Sequence, residues 1–232
     1  MAAIGNKNVA NSRSAGVITI RPNLVWLKQS LLLITNPRPS ELAIKNGATV
    51  SKVLEIVKKA RMESTIPLIL MGYINPILNY GMEKFLIDAK RSGVDGLIIP
   101  DLPPEESAEF CAFSKREGLS NVFLIAPTSS DDRIRFLDEL STDFTYCVSI
   151  TGVTGSSNLF GAAFDEFLTR VKNNTKKPFV VGFGITNKEQ VSHISKKANG
   201  VVVGSALLKA IGEKKSVDDV TAAAKQFISS LM

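Results

Sequence analysis

Between Pro178 and Leu208 the chain reads PFVVGFGITNKEQVSHISKKANGVVVGSALL. Two short apolar runs, Phe179 to Val181 and Val201 to Val203, each break off in a glycine-bearing turn that opens a helical pattern. Such a doubled strand, turn and helix unit belongs to a parallel sheet, and at the end of a barrel it forms an anion site from backbone N–H groups and a helix N-terminus. Gly184 and the Gly204-Ser205 pair are the candidates for holding a phosphate. Glycine is needed where a backbone closes on phosphate oxygens, often at positive φ, because a side chain would occupy that space. One glycine turn alone would more simply end a strand. Two of them, both opening helices, point to a shared ligand.

Upstream, the same rhythm recurs. SELAIKNGATVSKVLEIVKKARM reads as a short helix to Lys45, a turn at Asn46-Gly47, and a helix capped by Thr49 or Ser51 with Val53, Leu54, Ile56 and Val57 facing inward. IPLILMGYI (66–74) is a strand covered on both faces, ended by Asn75-Pro76. A helix over 81–90 buries Phe85, Leu86 and Ala89. GLIIPDL (96–102) is the next strand, and Pro103-Pro104-Glu105-Glu106 starts a helix. NVFLIAPT (121–128) precedes a helix capped within 129–132, with Ile134, Leu137 and Leu140 inside. FTYCVSITGVTGSSN (144–158) is a strand running into a glycine-rich loop, followed by a helix over 164–172. Thr186 and Glu189 form a capping box, and a final helix from Ser216 buries Val217, Val220, Ala224, Phe227, Ile228 and Leu231.

Six β/α repeats in strict alternation require an α/β protein with a parallel sheet, either an open doubly wound sheet or a TIM (β/α)8-type barrel. No Gly-x-Gly-x-x-Gly follows the first strand and no Walker lysine is present, which disfavours the nucleotide-binding open sheets. The anion site at the last two repeats favours the barrel. Eight units are the norm, so the barrel is incomplete at its N-terminus. Only VITI (17–20) and the LLLI region could add strands, and the roughly ten residues between them cannot hold a crossover helix.

With 232 residues, 44% of them hydrophobic, one domain can bury a full core. The division expected is an atypical basic segment over residues 1–39 and a barrel domain over 40–232. Net charge is +6, but Lys7, Arg13, Arg21, Lys28 and Arg38 place +5 of it in the first 40 residues, which contain no acid. A nucleic-acid surface would instead mass basic residues on the folded body, and no apolar run is long enough to span a membrane. An acid-free, Arg- and Ser-containing leader resembles an organelle transit peptide, giving a chloroplast or plastid stroma destination, and a cytoplasmic one otherwise. Cys111 and Cys147 lack metal-ligand spacing and read as reduced thiols. His193 is the single histidine; it cannot build a metal site and reads as a surface or packing residue.

PLILMGYINPILNYG, GVDGLIIPDLPPEE, FLIAPTSSDDRI, YCVSITGVTG, VGFGI and GVVVGSAL resemble, in order and spacing, the α subunit of tryptophan synthase and its plant relatives that act as free-standing indole-3-glycerol-phosphate lyases. The resemblance covers about residues 40–232. It implies a (β/α)8 barrel that cleaves indole-3-glycerol phosphate to indole and glyceraldehyde 3-phosphate in tryptophan biosynthesis, without metal or organic cofactor. It places the phosphate on Gly155, Gly184, Gly204 and Ser205, with Thr154 and Phe183 beside it. Tyr146 would line the catalytic pocket, while Leu70 and Ile125 would wall the indole ring. Asn75, Asp101 and Pro103 fall in loops that contact a β subunit in the family, and the loop over 152–158 matches the one that closes over substrate. A tyrosine between Thr145 and Cys147 can equally be a strand aromatic packed in the core.

The family's chemistry needs two carboxyl groups, one to protonate indole C3 and one to take the proton of the glycerol hydroxyl. They lie after the second strand in a motif resembling ELGIPFSDPLADG, which this chain lacks. Its first acidic residue is Glu41. The general acid and base carboxylates are therefore not found, leaving two expectations beside ordinary lyase activity. One is a non-catalytic, phosphate-binding partner of a β subunit. The other is a different phosphate-binding barrel, such as an isomerase of histidine or tryptophan synthesis, against which the GVTG loop after a Tyr strand speaks.

Overall fold

Apolar runs alternating with amphipathic segments leave the chain one economical arrangement, strands inside and helices around them. The computed structural model describes residues 47–148, 161–182, 184–212, 214 and 216–232, together with the backbone of 16–20 and 30–34. Nine strands form one sheet: β1 (Gly16–Ile20), β2 (Ser30–Ile34), β3 (Leu68–Met71), β4 (Gly96–Ile98), β5 (Ser120–Asn121), β6 (Leu124–Ile125), β7 (Thr145–Val148), β8 (Phe179–Gly182) and β9 (Gly200–Val203). The described helices are α1 (Val50–Glu63), α2 (Ile74–Tyr80), α3 (Met82–Ser92), α4 (Ala108–Arg116), α5 (Asp131–Leu140), α6 (Ala162–Asn174), α7 (Lys188–Ser195), α8 (Ser205–Ile211) and α9 (Val217–Leu231). None of them is long and apolar enough to cross a membrane.

The sheet order is β5-β4-β3-β2-β1-β9-β8-β7-β6. Its two ends, β5 and β6, are halves of one extended segment. Val122 donates its N–H to Leu97 on one side, and Phe123 accepts from Tyr146 N–H on the other. The single run read over 121–128 thus pairs first with β4 and then with β7, and the ring closes. Counting that segment once, the described residues supply eight staves.

Seven staves run in one direction, and the six from β3 onward each lead into one or two helices, as the repeat count requires. Strands β1 and β2 form an antiparallel hairpin in which β1 alone runs against the other described staves. Val17 pairs with Leu32 within it, Ile18 with Val203 of β9, and Leu31 with Leu68 of β3. Both VITI and SLLLI are strands, and a nine-residue connection suffices because an antiparallel pair needs no crossover. The segment before residue 40 therefore contributes two staves, and the division read at residues 39 and 40 does not follow the sheet.

Period-two alternation splits the apolar residues into two sets. Ile69, Met71, Ile98, Val122, Phe144, Tyr146, Val180 and Val202 cluster along the barrel axis, with half-buried Leu124 and Val148 at its margin. Their strand neighbours face the helices. Leu68 and Leu70 pack with Leu54, Val57, Phe85 and Leu86, while Ile125, Cys147, Val181 and Val201 pack with Ile134, Leu137, Phe164 and Leu168. Leu86, Ile98 and Ile134 are fully buried, each worth roughly 1.5–3 kcal/mol of transfer free energy.

Several local readings shift. Thr49 caps α1 by accepting from Lys52 N–H, and only Leu54 and Val57 of its expected inner face are fully buried. Strand β3 stops at Met71, and Asn75-Pro76 lies inside the first turn of α2, where a proline costs no intrahelical hydrogen bond. The Pro-rich start at 103–106 forms a 3-10 turn before α4. The capping box of α7 is Asn187 with Gln190, not Thr186 with Glu189. Asn187 has the extended backbone (φ −143°) of a cap, and its side chain and that of Gln190 satisfy each other's backbone N–H.

Candidate functional site

Strands β8 and β9 are parallel neighbours, Val180 beside Gly200 and Val181 beside Val201. The turns that follow them therefore emerge together at the carboxyl end of the barrel, and the structure brings Gly184 and Gly204 to the same place. Gly184 has φ 77°, a left-handed conformation that β-branched residues avoid. Its turn is fastened to α7 because Gln190 Oε1 accepts from Thr186 N–H at 2.7 Å and Asn187 N–H at 3.4 Å. Gly204 immediately precedes α8, where its carbonyl accepts from Leu208 N–H, and Ser205 is the first helical residue. The first N–H groups of a helix have no intrahelical acceptor and point back past its start, which is this end of the barrel. Gly155, Thr154, Phe183 and the loop over 152–158 lie outside the described residues.

Tyr146 lies on the barrel axis, 1% exposed, in register with Leu124 of β6 and Val180 of β8. It is packed in the axial core, on the strand beside the one that leads into the Gly184 turn. Burial, with a smaller contribution from Cys147, pushes its phenol far above the ordinary tyrosine value, so it remains protonated at neutral pH. A buried neutral phenol can exchange hydrogen bonds with a substrate but cannot act as a resident base. Cys147, on the opposite face of the strand, is likewise pushed up by complete burial and is inert.

Gly182 was not singled out in the sequence, yet it seats this tyrosine. A methyl group built there would overlap the Tyr146 hydroxyl and the ring carbon bearing it. We expect Gly182→Ala to cost about 1–3 kcal/mol of stability, as overpacking does. Removing the ring as well, in Gly182→Ala with Tyr146→Ala, should make the pair distinctly non-additive in urea unfolding. Additive losses would show that ring and glycine do not meet.

Two expected ring-walling residues are corrected. Leu70 and Ile125 lie outside the barrel among the helices, because each alternates with an axial neighbour. Met71, Leu124 and Val148 occupy the axial positions near the carboxyl end. Counting in twos from Tyr146 and carrying the parity across the register would have found Leu124 and Val148.

Among the described residues, charged groups stay off the axis. Asp101 is exposed and its carboxylate accepts from Ile74 N–H at 2.9 Å, capping α2. Glu105 pairs with Arg133, and this ion pair holds its carboxyl below the usual range. Asp131 pairs with Arg170 at 3.0 Å, while Asp95 joins Arg61 and Leu68 N–H at the opposite end. Buried Asp138 accepts from the backbone N–H groups of Lys176 and Lys177 before β8. Among the described residues no carboxylate lies in the axial cluster. Asn75, Asp101 and Pro103 are exposed at the site end, beside Tyr73 (47% exposed) and Leu78 (54%).

The family model for the tryptophan synthase alpha chain matches residues 36–231. The chain belongs to the tryptophan synthase alpha chain family. The tryptophan synthase alpha chain of Chlorobium chlorochromatii is 48% identical over 198 residues, which make up 82% of this chain and 74% of that one. The alpha chain of Pelodictyon phaeoclathratiforme is 46% identical over the same shares. In the solved tryptophan synthase a2b2 complex from Pyrococcus furiosus, one chain superposes with a TM-score of 0.78 at 39% identity, covering 84% of this chain and 78% of that one. An alpha-subunit mutant from the same organism gives 0.78 at 36% identity, covering 88% and 85%. The alpha family is a lyase family, and its TIM barrel is the fold described above.

Proposed function

We propose that this chain binds indole-3-glycerol phosphate at the carboxyl end of its barrel as a tryptophan synthase alpha-type subunit, and turns it over poorly. The adjacency of the Gly184 and Gly204 turns carries this reading. Their backbone N–H groups, with the Ser205 hydroxyl, would hold the phosphate, together with Gly155 of the glycine-rich loop. Thr154 and Phe183 would lie beside it. Met71, Leu124 and Val148 would wall the indole ring above Tyr146. In the family reaction, indole C3 gains a proton, the bond from C3 to the glycerol chain breaks, and the adjacent hydroxyl loses a proton to give glyceraldehyde 3-phosphate. The described residues supply neither proton carrier.

The β subunit is the partner supported by the solved a2b2 relative and by the exposed rim of Asn75, Asp101 and Pro103, where Tyr73 and Leu78 offer apolar contact.

Calorimetric titration with glycerol 3-phosphate tests the site. Binding is expected, and Gly184→Val should weaken it by about tenfold or more, because a β-branched residue strains a left-handed turn. Absence of heat with the wild-type chain at millimolar ligand would overturn the phosphate assignment. Capture of a β subunit without indole release would support the binding role.

A further inference from the structure

The single histidine lies in a polar cluster that the reaction does not use. His193 Nε2 is 2.8 Å from Asp165 Oδ1, and Lys197 Nζ is 3.3 Å from both Asp165 Oδ2 and the Asp165 carbonyl oxygen. Both carboxylate oxygens are engaged by side chains four residues apart, His193 in the last turn of α7 and Lys197 just past its C-cap. Asp165 itself lies in the first turn of α6, where its N–H donates to Gly161. Burial alone would raise its carboxyl, but the hydrogen bonds from His193 and Lys197 outweigh burial and hold it below the usual range.

What α7 carries at its other end gives the cluster a consequence. The Gly184 turn is fastened to α7 by Gln190, which accepts from Thr186 N–H, Thr186 Oγ1–H and Asn187 N–H. Buried Val191 and Ile194 hold α7 down on the barrel, but apolar contact is non-directional and leaves sliding along the sheet weakly resisted. A two-point polar contact to a neighbouring helix resists that sliding. We infer that Asp165, His193 and Lys197 form a positioning clamp that fixes α7, and with it the Gly184 turn, relative to the start of α6. The inference rests on the phosphate site proposed above only for its effect on affinity.

An exposed ion pair with no positioning role contributes little to stability and nothing to a distant ligand. The test compares wild type, Asp165→Ala, His193→Ala and His193→Gln by glycerol 3-phosphate titration, thermal melting and amide hydrogen exchange. Asp165→Ala should weaken binding roughly three- to tenfold, the size expected from a small misplacement of a binding group, with little change in melting temperature. His193→Ala should follow it, and His193→Gln, which restores a hydrogen-bonding nitrogen, should recover most of the affinity. Exchange over residues 184–190 should speed up in Asp165→Ala without ligand. If the wild type does not bind, the phosphate reading falls and the exchange result alone decides the clamp. Unchanged exchange over 184–190, or an affinity loss that merely tracks a loss of stability, would overturn it.

Discussion

Indole release from indole-3-glycerol phosphate by this chain is expected to run at least about 10⁴-fold below that of an alpha chain such as the Chlorobium chlorochromatii protein, since each missing proton carrier costs about 10²–10⁴. Tyr146, the axial titratable group among the described residues, is a neutral phenol and cannot accept the hydroxyl proton. Asp101 is committed to the Ile74 N–H, and Glu105 and Asp131 are held in ion pairs at the rim. Residues 1–40 contain no Asp or Glu. A single-turnover indole assay on a preparation already shown to bind glycerol 3-phosphate separates lost chemistry from lost folding. Release at the relative's rate would overturn the expectation and implicate Glu41, the first acid in the chain.

The parallel part of the barrel was legible because each strand is a continuous apolar run bounded by turn residues and each helix carries its own cap and period. Ser130, Ser216 and Thr49 cap as their positions predict. The readings that moved depend on contacts between elements. Two overlapping box patterns at 186–190 differ by one residue, and only the extended backbone of Asn187 selects between them. The segment 120–125 looks like one strand because it is one chain direction, yet its hydrogen bonds pass from β4 to β7 midway.

The site divides along the same line. The turns at Gly184 and Gly204 were legible as strand-to-helix turns because a glycine following a strand and opening a helix has a local conformational reason to be there. The pairing of Tyr146 with Gly182 was not, because it depends on the register of β7 against β8, where Val148 lies beside Gly182. Leu70 and Ile125 failed by a single step of parity, which is all that separates the axis from the helix layer.

The hairpin was half legible: too short a connection excluded a crossover helix, but nothing local announced that β1 would reverse and join β9. Leu32→Pro tests whether it closes the barrel. Leu32 lies in the middle of β2, opposite Val17 of β1 and Ile69 of β3, so that strand has a partner on each side. Proline removes a ladder donor and is found in sheets essentially only at edges and bulges. The expected loss is about 3 kcal/mol or more, comparable to proline inside a helix. For a chain of this size that lowers the melting temperature by roughly 6 °C or more. Glycerol 3-phosphate affinity should fall with it, because β1 is what makes β9, and hence the Gly204 turn, internal to the sheet. A Leu32→Pro chain that melts and binds like the wild type would place residues 16–34 outside the barrel and leave β9 and β3 as edges.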